Sequence, residues 1–331
     1  MGDLVEWEDA DWDRLAERCG NLFATREWIS TWWQVFSSRG SLMSFTCRHR
    51  DGSLAALLPL YVSSTGQQRE LRFLGHRESD LLGPVCTPSD RPAVADAMRR
   101  AMRESRDRFD VFVGDDLPEA AGWSRTIGAQ SVRRTSSPVL RSEGKNWEAF
   151  LATRSRNFRQ QVRRREQRLA RVHALRYRLV TDPSRFNADF DVLLRLHEAR
   201  WAGVSRSFAG ERAALHRAFA VKALERGWLR LWIAELDGCP AAAWYGFRYA
   251  NAEWYYQAGR DQRYDELSVG FVLLAHTIRA ALDDGVDEYR LLRGDEPYKL
   301  RFANDDAPLE TVILASSELA GAEASSVMAR G

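Results

Sequence analysis

Glu253-Trp254-Tyr255-Tyr256-Gln257-Ala258-Gly259, Ser268-Val269-Gly270 and Glu288-Tyr289-Arg290-Leu291-Leu292 are the three stretches on which the fold turns. The first is an aromatic strand that runs into a glycine. The second opens an apolar helix, Ser268 to Leu282, with Ser268 as the expected N-cap. The third is a short strand ending in Gly294-Asp295-Glu296-Pro297. Strand, helix and strand in that order make a crossover, and a crossover joins parallel strands. Upstream, Leu229 to Leu236 and Ala241 to Tyr249 flank Asp237-Gly238, the signature of a β-hairpin. Farther up lie a long helical stretch from Trp147 to Arg171, a strand from Leu175 to Val180, and helices from Phe190 to Trp201 and from Glu211 to Arg226. Gly227 stops the last of these. Leu309 to Leu314 closes the series as a strand, and residues 316–331 read as a loose tail.

The first half repeats this order. Trp28, Trp32 and Phe36 mark one face of a helix from Arg26 to Phe36. Met43 to Cys47 and Leu54 to Val62 flank Asp51-Gly52 as a second hairpin. Leu71 to Leu74 is a strand, Pro92 to Arg106 a helix with Asp90 as expected cap, and Phe109 to Val113 a strand ending in Gly114-Asp115-Asp116-Leu117-Pro118. The hairpin turns at Asp51 and Asp237 lie 186 residues apart, Gly75 and Gly259 184, and Gly114 and Gly294 180. Self-similarity at so long a period predicts two copies of one α/β domain, each a mixed, mostly antiparallel sheet flanked by helices. The expected division is residues 1–142, then 143–315, then the tail 316–331; a length of 331 residues suits two domains.

Composition narrows the class. With 45% apolar and 28% charged residues the chain is an ordinary packed protein, neither disordered nor fibrous. No apolar run is long enough to span a bilayer, and the acidic N-terminus does not resemble a secretory signal. Cys19, Cys47, Cys86 and Cys239 are scattered, which predicts neither disulfides nor a zinc site and suits a cytoplasmic protein. Of 48 basic residues only Lys145, Lys222 and Lys299 are lysine. Each could have been kept for a compact ammonium or could simply be a surface survivor.

The crossover with its Ser268-Val269-Gly270 helix start and the run Gly294-Asp295-Glu296-Pro297-Tyr298-Lys299 resembles the C-terminal domain of CelD-like acyltransferases of the Gcn5-related (GNAT) superfamily. The first half is similar to them in its Trp-rich helix, Leu57-Leu58-Pro59-Leu60 and Leu71-Arg72-Phe73-Leu74-Gly75, and so is the Arg156 to Arg168 segment. The tandem arrangement is also similar to that of the Fem aminoacyltransferases. The likeness runs from about residue 20 to about residue 305. It implies two tandem GNAT-like domains with an acyl-CoA such as acetyl-CoA as co-substrate; the first copy has no Tyr-Lys after Gly114-Asp115-Asp116-Leu117-Pro118, so the second is the expected catalytic one.

Physical chemistry supplies a place for that chemistry. The strands on either side of a crossover helix splay at their C-terminal ends and leave a slot in which open α/β sheets bind ligands. The amides of Ser268, Val269 and Gly270 would meet a pyrophosphate, and Gly270 would let the backbone come close. The thioester carbonyl would lie near Gly259 and Arg260. The family's phosphate loop, Gln/Arg-x-x-Gly-x-Gly/Ala, is degenerate here in Arg263 to Gly270, where Asp265 and Glu266 would repel phosphates. A plain capped helix is the competing reading. Asp295 or Glu296 is a candidate base. The resemblance places a tyrosine acid in this part of the fold, and Tyr298 is the candidate. Lys299 could hold a substrate anion or the developing oxyanion. Arg301 and Trp201 are candidate walls of the acceptor pocket. The competing reading of Asp295 to Arg301 is a surface salt-bridge cluster.

Between Arg154 and Arg178 lie ten arginines against one acid, Glu166. Such a helix could grip RNA, as a Fem-like enzyme using aminoacyl-tRNA would, or could be a solvated face answering the seven acids among residues 1–20. His276 reads as a core or surface residue. The expected function is acyl transfer to an amine or hydroxyl of a small-molecule or sugar/cell-envelope precursor. Aminoacyl-tRNA-dependent amide formation is the alternative enzyme, and a catalytically dead binding or scaffold protein the alternative class.

Overall fold

The computed structural model describes residues 9–64, 66–201 and 204–319. In chain order they form α1 (Asp9–Cys19), α2 (Arg26–Phe36), β1 (Gly40–Leu42), β2 (Phe45–Arg48), β3 (Leu54–Leu58), β4 (Leu60–Ser63), β5 (Glu70–Phe73), β6 (Val85–Cys86), α3 (Arg91–Glu104), β7 (Val111–Pro118), α4 (Trp123–Ile127) and β8 (Gln130–Thr135). There follow β9 (Pro138–Arg141), α5 (Trp147–Ala152), α6 (Arg156–Val172), β10 (Leu175–Leu179), α7 (Phe186–Trp201), α8 (Glu211–Glu225), β11 (Leu229–Leu236), β12 (Cys239–Tyr249), β13 (Ala252–Arg260), α9 (Val269–Asp283), β14 (Glu288–Arg290), α10 (Pro297–Leu300), β15 (Asp305–Asp306) and β16 (Leu309–Ala315). No described helix is long and apolar enough to cross a membrane.

The chain divides into two units, one of residues 1–136 with 307–331 and the other Ser137–Asp306. The boundaries differ from those expected. β9, read as the end of the first domain, pairs with β14 and so belongs to the second sheet. β16, expected to close the second domain, lies between β7 and β8 in the first. Terminal strands are assigned by the edge that satisfies their backbone groups, and one sequence does not show which edge that is. Most of the expected tail lies outside the described residues.

The first unit carries a six-stranded sheet in the order β1-β4-β5-β7-β16-β8 and a three-stranded sheet β2-β3-β6. The first is antiparallel apart from the parallel pair β5 and β7. Leu54 to Val62, expected as one strand, is two. Pro59 has no N–H to give a ladder, and the chain changes sheets there. The strand expected to end at Val113 runs on to Pro118, because β16 pairs with it as far as Leu309 opposite Pro118. Asp90 makes no side-chain cap on α3; it accepts a hydrogen bond from Thr87 instead.

The second unit is a seven-stranded sheet, β10-β11-β12-β13-β14-β9-β15, antiparallel except for β13 and β14. Both units are thus mixed sheets with one parallel pair and flanking helices, the tandem arrangement expected. The long helix expected from Trp147 is two helices. α5 ends at Ala152, and Ser155 starts α6 afresh by accepting from the Phe158 amide at 3.2 Å. On α6 the apolar Phe158, Val162 and Leu169 turn inward. They pack with Trp147 and Phe150 of α5, Leu273 and Ile278 of α9, and Trp244 of β12. Side chains alternate along β13. Arg260 meets α9 at Gly270, while Gly259 lies against α7, where an added Cβ would come within 2.2 Å of the His197 nitrogen. The helices therefore cover opposite faces of the sheet, and α7 can sit this close only over a residue with no side chain.

Replacing Gly259 by Ala forces α7 off the sheet, and overpacking of this kind costs about 1–3 kcal/mol. Urea unfolding of the Gly259→Ala protein measures that loss; a stability equal to the wild type's would contradict the packing. Burial also acts through histidines. His197 and His276 are pushed down to about 4 by desolvation, so the folded unit refuses protons that the unfolded chain accepts near its ordinary pKa of about 6.5. Their stabilisation is therefore complete above about pH 6.5 and is lost as the pH falls toward about 4. The denaturation midpoint drops between pH 7 and pH 5, and His276→Phe flattens that drop; an unchanged slope in this variant would count against the assignment.

Candidate functional site

β13 and β14 pair over three positions only, Ala252 with Glu288, Glu253 with Tyr289 and Trp254 with Arg290. β13 then continues to Arg260 while β14 stops. The chain after β14 turns away through Leu292 and Gly294, both with positive φ, 59° and 108°. On the other edge of β13 the register slips between Tyr245 and Gly246, so that Tyr256 is the extra residue of a bulge. Divergence on one side and a bulge on the other open a cavity of about 390 Å³ at the C-terminal end of β13.

Its walls come from β12 (Ala242, Ala243 and Trp244), β13 (Tyr255, Ala258, Gly259 and Arg260) and the start of α9 (Ser268, Gly270 and Phe271), and from Tyr298 and Arg301 beyond β14. The helix start is open. Ser268 takes a left-handed conformation, φ 59° and ψ 39°, and its side chain makes no cap, contrary to expectation. The Ser268 amide donates to Asp265 O at 2.9 Å, and the Ser268 carbonyl accepts from the Val272 amide at 3.1 Å. The intervening amides of Val269, Gly270 and Phe271 precede the first helical hydrogen bond, so they add their partial positive charge to this end. Arg260 lies across the helix start, its Cδ 3.1 Å from where a Gly270 Cβ would stand. Its guanidinium is held by Asp265, with Nη2 3.1 Å from Oδ2.

Tyr298 and Tyr255 face each other with hydroxyls 3.5 Å apart, long for a hydrogen bond. Tyr255 stacks on the buried Trp244 at 5.5 Å and 17°. Burial pushes the Tyr255 hydroxyl up to about 12 and the Tyr298 hydroxyl well above the ordinary tyrosine range, the latter raised further by Tyr255 and Glu296. Both keep their protons at neutral pH, which makes them donors and not bases.

The structure thus gathers Gly259, Arg260, Ser268, Gly270, Tyr298 and Arg301 around one cavity. Val269, between two of them, is not a wall residue; its side chain is buried in the core. Four other residues singled out from the sequence are not walls. The buried Lys299 ammonium donates to Arg293 O and lies 3.0 Å from Glu296 Oε2, so it pins its own turn. Glu296 folds back over Gly294, where a Cβ would meet its Oε2 at 2.4 Å. Asp295 is exposed. Trp201 braces β13 through its indole N–H, 3.4 Å from Ala258 O, and carries the Arg200 guanidinium on its ring at 4.5 Å. Asp265, engaged by Arg260, is the carboxylate that does line the cavity.

The sequence reading missed Arg165, Arg200, Tyr255 and Phe271. The arginines were hidden in a crowd of their own kind, and Tyr255 looked like any strand aromatic. His276, expected in the core or at the surface, is half-buried, stacked on Tyr177 at 3.7 Å and edge-on to Trp232 at 4.9 Å.

Comparison with known proteins agrees with this geometry. Residues 156–300, which hold every wall residue but Arg301, match the family described as Acetyltransferase (GNAT) domain. Over that segment the chain is similar to acetyltransferases of the GNAT type. No curated protein matches the chain by sequence. Among solved structures the chain is similar in fold to FemX, with 10% identity over 94% of this chain and 96% of that one and a TM-score of 0.66. It is also similar to the C-terminal domain of a putative lysylphosphatidylglycerol synthetase from Agrobacterium fabrum (11% identity, 97% and 95% coverage, TM-score 0.58). A third such structure is L-PGS from Bacillus licheniformis (10% identity, 86% and 90% coverage, TM-score 0.56).

Removing the acid at the helix start leaves Arg260 and the α9 amides to an incoming anion. Asp265→Asn therefore tightens binding of inorganic pyrophosphate by about two- to fivefold, as a helix-terminus charge worth 0.3–1 kcal/mol would. Titration calorimetry reads this directly, and weaker binding in the variant would contradict it.

Proposed function

We propose that the second unit moves an acyl group from an acyl-CoA donor to an amine, or a hydroxyl, of a small-molecule or sugar/cell-envelope precursor. One observation carries the reading: a cavity between diverging parallel strands, with uncapped helix amides and Arg260 at one end and a protonated tyrosine pair in its wall. In this reading the donor's phosphates lie against Val269 to Phe271, in the electrostatics that favour anions at a helix start. The thioester lies beside Gly259 and Tyr255. The acceptor nitrogen attacks the carbonyl carbon, the C–S bond breaks, and Tyr298 gives its proton to the departing thiolate. No free carboxylate lines the described walls, so the acceptor enters as the neutral amine, and the proton its nitrogen sheds on forming the amide passes through water and restores the Tyr298 hydroxyl. The finer likeness to CelD-like enzymes and a cytoplasmic location form part of this proposal.

A non-catalytic first unit is also part of it. There the parallel strands β5 and β7 part after Arg72 and Val113, as β13 and β14 do after theirs. That gap is crossed by Arg72, which bonds both Asp115 and Glu70. It is crossed again by His76, with Nε2 3.6 Å from Asp115 Oδ2 and Nδ1 3.2 Å from Tyr61 Oη. Side chains that cross-link a gap leave no room for a donor.

A second reading, transfer from aminoacyl-tRNA, is favoured by the outer face of α6. Arg156, Arg163, Arg164, Arg168 and Arg171 are all exposed there, and FemX and lysylphosphatidylglycerol synthetase share the fold.

Release of free thiol on mixing the protein with acetyl-CoA and a panel of amines tests the first reading. Turnover is expected, with kcat about a hundredfold lower in Tyr298→Phe and KM little changed, the size of a lost general acid. Equal turnover in that variant would remove the role. Acetyl-CoA raises the Tm and tRNA does not if CoA is the donor. The opposite pattern, with tRNA retention falling steeply with salt, would transfer the site to the second reading.

A further inference from the structure

Arg165, from the middle of α6, and Arg301, just past α10, converge on one phenyl ring. Their guanidinium carbons lie 4.5 Å and 5.3 Å from the centre of Phe271, in the first turn of α9. Both line the cavity, and among the described residues neither has a carboxylate partner. Arg301 is steered by Gln161 Oε1, which accepts from its Nη2, and by Phe158, 5.5 Å from its guanidinium. Four other arginines of the unit behave differently. Arg178, Arg248, Arg260 and Arg279 all end on carboxylates. Two planar cations held on one ring with no counter-ion are a binding geometry and not a folding one: the ring orients them, and like charges repel until an anion arrives.

We propose that Arg165 and Arg301 form a clamp for a phosphoryl group of the ligand, a subsite separate from the helix-start amides and additional to them. A phosphoryl group is favoured over a carboxylate because two guanidiniums offer two charges and paired forks. A terminal phosphate carries a charge of about −1.5 to −2, whereas a carboxylate carries −1. The clamp deepens the acyl-transfer reading and rests on it only for what the ligand is. The phosphoryl group belongs either to the donor or to the acceptor; Arg301 stands three residues after Tyr298, and both are cavity walls.

Binding of inorganic pyrophosphate and of CoA to the full-length protein, measured by titration calorimetry at fixed salt, tests the clamp. Wild type is compared with Arg165→Gln, Arg301→Gln, Arg301→Lys and Arg171→Gln, the last an exposed arginine of the same helix. Arg165→Gln and Arg301→Gln are each expected to weaken pyrophosphate binding at least tenfold, Arg301→Lys to restore part of the loss, and Arg171→Gln to change it less than twofold. A parallel tenfold loss for CoA assigns the group to the donor. CoA binding that survives while pyrophosphate binding is lost assigns it to the acceptor. Losses no larger than that of Arg171→Gln, or no pyrophosphate binding by wild type, would overturn the clamp. Far-ultraviolet circular dichroism and Tm identify a variant that fails to fold, and Arg165→Gln, which sits on the ring without hydrogen-bonding its neighbours, then decides alone. The outcome is independent of turnover. A clamp that binds pyrophosphate in a protein that releases no thiol would refute the acyl-CoA reading alone, and turnover without a clamp would refute this inference alone.

Discussion

Everything in the second unit depends on one broken ladder. Parallel strands normally satisfy each other's backbone groups along their whole length, and a buried amide or carbonyl left without a partner is costly. Here β13 outruns β14 by six residues, Tyr255 to Arg260, after only three paired positions. The sheet tolerates this because β12 still pairs with the other edge of β13 as far as Arg260 opposite Ala242. Beyond the ladder, Ala258 O accepts from the Trp201 indole. The bulge at Tyr256, the tight seat of α7 over Gly259 and the left-handed Ser268 all shape the walls of that gap. Gly259 illustrates the economy of the arrangement, since its side-chain position is claimed by α7 while its backbone faces the cavity.

The first unit shows what the same topology does when the break is not kept open. Its parallel pair also parts after three positions, yet side chains bridge the space, Arg72 and His76 to Asp115 and His76 to Tyr61. The difference is chemical and not topological. On the strand-end side the first unit supplies an Asp-Asp pair that draws basic side chains across. The second supplies Pro297-Tyr298 and an α10 that lays its tyrosine along the wall, and its own acid, Glu296, is retired into a contact with Lys299.

These particulars mark how far the sequence could be read. Two hairpin turns at Asp-Gly, two glycines after a strand and two glycine-acid-proline ends set at nearly equal spacing disclosed the tandem fold, because turn chemistry is local. Pro59 and Ser155 were visible as residues, but their consequences, a change of sheet and a helix restarted, depend on what lies across the fold. The exchange of β9 and β16 between units was illegible, since strands of four and seven residues carry no label for their partners. At the site, Tyr298, Arg301, Arg260 and Gly270 were legible because they sit where a crossover must place them. Lys299 misled for a physical reason. A rare lysine near a strand end suggested a ligand charge, but a buried ammonium must first satisfy its own hydrogen bonds, and Arg293 O and Glu296 supply them. Arg165 could not be told from nine neighbours of the same kind until the fold turned it inward.

The central claim is that the gap between β13 and β14, roofed by the first amides of α9, receives the activated donor. Hydrogen–deuterium exchange on the full-length protein with and without a non-hydrolysable acyl-CoA analogue tests it most directly. The account predicts slowed exchange in peptides covering residues 255–260 and 268–272, with residues 70–76 and 111–118 of the first unit unchanged. Protection confined to the first unit, or none at the start of α9 under saturating analogue, would contradict it.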